Sequence, residues 1–144
     1  MTRETPAALT SQEVASAADH LVAAFSSMDA DAYFGSFAPD ATFIFYPEQA
    51  RLNARAEYEA LWAEWVEGGW KITGCESSNQ LIQIAGDTGI FTHDVATSIE
   101  VDGTAETLHE RETIVFVRDE TGAIVAVHEH LSPTPAANPE EAVE

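Results

Sequence analysis

Apolar residues first recur at helical spacing. Val14, Ala18, Leu21, Val22, Phe25 and Met28 fall three or four positions apart and form one stripe. Ahead of it, Thr10-Ser11-Gln12-Glu13 reads as a capping box, in which Thr10 and Glu13 satisfy each other's free amides. A second, shorter helix is predicted from Asp31 to about Phe37, with Phe34 and Phe37 inward and a turn at Pro39-Asp40. Ala41 to Tyr46 is dense in aromatic and β-branched residues and predicts a strand that Pro47 stops. Asn53 is the predicted N-cap of a third helix, from Ala54 to Glu67. Its apolar face is Tyr58, Leu61, Trp62, Trp65 and Val66, and Gly68-Gly69 ends it.

From Trp70 the period changes. Trp70 to Ala85, Gly89 to Val101, Thr104 to Arg118 and Ala123 to Leu131 predict four long strands, broken at Gly86-Asp87, Asp102-Gly103 and Glu120-Thr121-Gly122. Asp-Gly between β-rich runs is a strong hairpin signal, and such short connections make an antiparallel meander. Helices first and strands afterwards predict an α+β domain over residues 10–135, with helices covering one face of a curved antiparallel sheet. Residues 1–9 and 136–144 read as flexible tails, the second acidic. Ile114-Val115-Phe116-Val117 and Ile124-Val125-Ala126-Val127 are apolar on both faces, where a strand wetted on one side would alternate. With too few helices to cover both faces, a homodimer packed sheet against sheet is expected.

Charge narrows the partners. Six Lys and Arg stand against 25 Asp and Glu, a formal charge of −19. Such a surface repels phosphate backbones and anionic lipid, so neither nucleic acid nor membrane is an expected partner. No run approaches the roughly 20 apolar residues that cross a bilayer, and the N-terminus lacks a secretory pattern. The single cysteine, Cys75, allows no internal disulfide. A cytoplasmic location is the expectation.

Particular segments resemble a known family. Phe37-Ala38-Pro39-Asp40-Ala41-Thr42-Phe43 looks like the turn into the first strand of the NTF2-like superfamily. Arg111-Glu112-Thr113-Ile114-Val115-Phe116 and Ala126-Val127-His128-Glu129-His130-Leu131-Ser132-Pro133 resemble the last two strands of its SnoaL-like-3 branch, which is related to the kinase association (hub) domain and to ketosteroid isomerase. The resemblance implies a cystatin-like cone of three N-terminal helices on a curved sheet. It does not carry steroid isomerisation with it: Leu21 occupies the position of the isomerases' donor tyrosine, and Tyr46 that of their aspartate base. No counterpart of the cyclases' pocket acid is found.

The polar residues suggest where a site would lie. His128 and His130 share a strand face and are the candidate catalytic pair, one of them a proton shuttle near neutral pH. Arg111 and His93, on neighbouring strands, are candidate ligand contacts if they share that face, together with Tyr46 and Trp62. The alternative is structural, with the histidines hydrogen-bonded where the last strand closes the cone. A His-x-His strand also suits a metal, with His93, His109 or Glu110 as a third ligand, but three or four placed ligands are needed and none is assigned. No cofactor motif is present. The expected function is a small-molecule-binding domain for an apolar or carboxylate-bearing ligand, with cofactor-free isomerase, cyclase or dehydratase chemistry open to it. A ligand-sensing or association module is the alternative.

Overall fold

The computed structural model describes residues 8–135. Both predicted tails fall largely outside them. Leu9, assigned above to the first tail, is instead 3% exposed, and its amide donates to the Gly86 carbonyl at 3.1 Å. The capping box follows it. The Thr10 amide donates to Glu13 Oε1 at 3.0 Å and the Glu13 amide to Thr10 Oγ1 at 3.1 Å, opening α1 (Ser11–Ser26). Its buried stripe is Val14, Ala18, Leu21 and Ala24.

The second helix, α2 (Ala30–Gly35), is capped by Asp29 and ends two residues sooner than predicted. Phe37 is inward as expected, but as the first residue of β1 (Phe37–Phe45). Pro39-Asp40 therefore lies within the strand, where the pairing with the last strand shifts register. Proline is tolerated at such an irregularity because no regular ladder bond is lost there. The third helix, α3 (Arg55–Glu67), corrects the Asn53 cap. Ala54 occupies the cap with no side-chain bond, while the Asn53 amide donates to Glu57 and its side-chain oxygen accepts from Arg51. Tyr58 and Trp62 are buried, but Val66, predicted on the same face, is 44% exposed.

The meander is as predicted: β2 (Trp70–Ala85), β3 (Thr88–Val101), β4 (Thr104–Arg118) and β5 (Ile124–Pro133). Asp102 and Gly103 both take positive φ, as the tight β3–β4 turn requires. The sheet order is β1-β5-β4-β3-β2, antiparallel except that β1 runs parallel to β5. All three helices pack on one face. Gly89 of β3 lets α1 approach closely, since a Cβ there would stand 2.5 Å from Val14 Cγ2. Phe25, Tyr33, Phe34, Tyr58 and Trp62 stack mostly edge to face in the core between helices and sheet. Among the described residues no helix is long and apolar enough to cross a membrane.

Candidate functional site

Strand alternation carries charged residues to the helix-facing side of this sheet. On β4, Glu110 and Glu112 continue the inward row of Ile114 and Phe116. On β3, His93 lies in the inward row between Phe91 and Val95. On β5, Glu129 is 3% exposed. These four line a cavity of about 280 Å³ between α1, α3 and the sheet, walled otherwise by residues such as Phe25, Tyr58, Trp65, Trp70 and Val95.

The polar groups form a directed chain. His93 pairs across the strands with Glu112, and its Nε2 stands 2.7 Å from Glu112 Oε1. A carboxylate only accepts, so Nε2 carries the hydrogen. In the neutral ring Nδ1 then accepts from Ser77 Oγ at 2.6 Å, and Ser77 accepts from Gln80 Nε2 at 2.8 Å. Glu129, the other carboxyl beside Glu112, interacts with it from β5. Burial raises Glu112, but the bonds from Glu129 and His93 outweigh it and hold this carboxyl below the usual range. Glu129 takes the opposite course: burial, then the charge of Glu112, push it well above. The two carboxyls are thus driven apart, Glu129 toward the neutral acid and Glu112 toward the carboxylate. Glu129 Oε1 has no partner, the only such buried side-chain atom among the described residues.

Nearer the mouth, burial also raises Glu110, against a hydrogen bond from Tyr46 at 2.6 Å. The same burial and bond push the Tyr46 hydroxyl up to about 12. Deeper in, the hydroxyls of Tyr33 and Tyr58 lie 2.8 Å apart. Burial raises the Cys75 thiol, on the cavity wall, to about 11, consistent with an unreactive side chain.

Of the residues singled out from sequence, His93 lines the cavity and Tyr46 holds Glu110 at its edge. Trp62 stands behind the wall, stacked on Tyr33 and Trp70. His128, His130 and Arg111 are on the opposite, outer face. His128 Nδ1 meets Thr42 Oγ1 at 2.8 Å, and burial with the neighbouring His130 lowers its pKa. His130 and Arg111 are exposed. Arg111 and His93 therefore do not share a face, and His93 and Glu110 are separated by the sheet from the His128–His130 pair they were to complete as metal ligands. Arg111 stands opposite Asp94, one residue out of step with His93, and for the histidine pair the physical cause is a β-bulge. Ala126 pairs with Phe116 but His128 with Val115, so Val127 is an extra residue and the phase inverts beyond it. Ala126 and then Glu129 point inward. Glu112 and Glu129 were missed. Their signal was present as charges at core positions of otherwise apolar strands.

The solved structures similar to this chain share its fold. An NTF2-like superfamily protein from Salmonella enterica is 15% identical, with 90% of this chain and 94% of that one covered and a TM-score of 0.76. A ketosteroid isomerase-like protein from Erwinia carotovora atroseptica is 15% identical over 86% and 96%, with a TM-score of 0.72. The CaMKII hub of S. rosetta is 22% identical over 92% and 100%, with a TM-score of 0.68. At such identities the likeness establishes the NTF2-like fold. No curated protein matches the chain in sequence. The family profile of the SnoaL-like domain matches residues 14–137, nearly the whole chain, so the protein belongs to the SnoaL-like domain family.

Proposed function

We propose that the chain is a small-molecule-binding domain whose cavity supports cofactor-free proton transfer. The observation that carries this reading is the unpartnered Glu129 Oε1, 3% exposed and on the wall of a largely apolar cavity. A buried polar atom is normally paired, and a ligand held here would complete it. Glu129 is the acid of the pair, able to give its proton to a bound ligand atom. Glu112 is the base, able to take one, and His93 positions it through the 2.7 Å bond. A proton lent by Glu129 and one received by Glu112 leave the pair with the same total, as an isomerisation or dehydration requires. His128 and His130, on the outer face, are not part of this proposal.

Leu108→Trp tests the cavity. Leu108 lines it from β4 and is only half-buried, so a larger side chain there obstructs the space with little disturbance of the core. Ligand-observed NMR with the neutral probe 2-phenylethanol should show binding to the natural chain and its loss in the variant, with the melting temperature kept. Equal binding by both would refute the cavity as the site.

A second reading concerns the other face. Ile44, Ile90, Val115, Val117 and Val125 are only half-buried there, around His128. Three helices on one side leave this apolar surface to a partner, which supports a homodimer packed sheet to sheet. The relative named as a hub favours the same reading.

A further inference from the structure

The cavity has an imbalance of charge that a small apolar ligand alone does not resolve. Glu48, Glu110, Glu112 and Glu129 all line it. Among the described residues no Lys or Arg does. His93, the imidazole on the wall, is taken up by Glu112, and the described Lys and Arg side chains are engaged or placed elsewhere. Arg118 bonds Glu13, Arg55 bonds the Phe34 and Phe37 carbonyls, Arg51 bonds Asn53, Lys71 pairs with Glu100, and Arg111 is on the outer face. Carboxyls withdrawn from water are normally matched by a cation or kept neutral. Here burial favours the neutral form of Glu129 beside Glu112, and Glu129 Oε1 lacks a donor.

We infer that the cavity is built for an organic amine, an apolar body of one ring or a short chain carrying a protonated amino group that lies against Glu112 and Glu129. This rests on the small-molecule reading above and names its ligand class. The ammonium brings what the site lacks: hydrogen-bond donors for Oε1 and a positive charge beside the pair. Entering as a cation, it displaces the Glu129 proton to solvent. Entering as the free base, it takes that proton itself. Both routes end with one ammonium and two carboxylates. The rings of Phe25, Phe45, Tyr58, Trp65 and Trp70 present faces and edges around the same space, a lining that tolerates cations as well as apolar groups. At about 280 Å³ the cavity lies just below the range of drug-sized ligand pockets, roughly 300 to 1,000 Å³, which suits a ligand of one ring or a short chain. Glu48 and Glu110 place negative charge near the entrance, and a chain of net charge −19 attracts cations from solution. The expectation of a carboxylate-bearing ligand depended on Arg111, whose guanidinium lies across the sheet.

Three probes of one size and different charge decide the matter: 2-phenylethylamine, 2-phenylethanol and phenylacetate, titrated into the full chain near pH 7 at low salt and read by ligand-observed NMR. The amine should bind about tenfold or more tighter than the alcohol, and phenylacetate weakest. In the double variant Glu112→Gln/Glu129→Gln the amine-to-alcohol ratio should fall toward one. Equal binding of amine and alcohol, tighter binding of phenylacetate, or an amine preference that survives the double variant would overturn the inference and leave the cavity reading in place. Failure of all three probes to bind the natural chain at millimolar concentration would overturn both. The comparison within the natural chain stands whether or not the variant folds.

Discussion

Replacing Glu129 by glutamine separates the proton of the buried pair from its shape. In the folded chain the Glu129 carboxyl is 3% exposed, and burial, then the charge of Glu112, hold its pKa well above the ordinary 4.5. In the unfolded chain it titrates near that ordinary value. Between the two the folded state carries one more proton, so stability falls as pH rises. The slope is about 1.4 kcal/mol per pH unit, and it ends where the folded carboxyl itself ionises. The natural chain therefore loses stability as pH rises above the ordinary carboxylate range, relative to acid conditions. Glutamine keeps the volume and a neutral donor toward Glu112 but takes no part in this linkage. The variant should match the natural chain near about pH 4 and exceed it above that by a margin that widens by about 1.4 kcal/mol per pH unit until the folded carboxyl ionises. Glu110, also raised, lowers stability with rising pH in both proteins, so the difference cancels it. Glu112 is depressed, and its contribution is present above the ordinary carboxylate pKa and lost only as pH falls below it. Urea unfolding from about pH 4 to about pH 8 measures the gap. Parallel stability curves over that range would refute the reasoning, since they would mean that Glu129 is ionised in the folded state.

Two further outcomes test the scaffold. Gly89→Ala places a Cβ 2.5 Å from Val14 Cγ2 and should cost about 1–3 kcal/mol, while Val14→Ala in the same chain should recover part of that loss; strict additivity in a denaturation cycle would show that the two do not touch. Val115→Arg puts a charge at the middle of the outer face, beside Ile90 and His128, and light scattering at micromolar concentration should change from dimer to monomer with the thermal melt preserved; a natural chain already monomeric under these conditions would dispose of the sheet-to-sheet homodimer.

Most of the scaffold was legible because local signals record local physics. The capping box at Thr10 and Glu13, the stripe of α1 and the Asp102-Gly103 turn each depend on residues within one or two turns of the chain. Helix and strand periods therefore gave element type, and the order of elements gave the α+β class. The first boundary failed to a nonlocal contact, Leu9 being held by Gly86, whereas the Asn53 cap failed to a local competitor, its amide donating to Glu57 four residues on.

The site depended on information the chain does not carry locally. Alternation from Ile124 and Ala126 sends His128 and His130 inward, and one bulged residue at Val127 reverses that result. A bulge is set by pairing with β4, so the face of every later side chain follows from a partner strand distant in sequence. The meeting of His93 with Glu112, and of Glu112 with Glu129, likewise exists only once three strands are in register. A sequence pattern states which residues alternate. Which face they alternate toward, and which buried carboxyls come close enough to share a proton, is set by the register of the closed sheet.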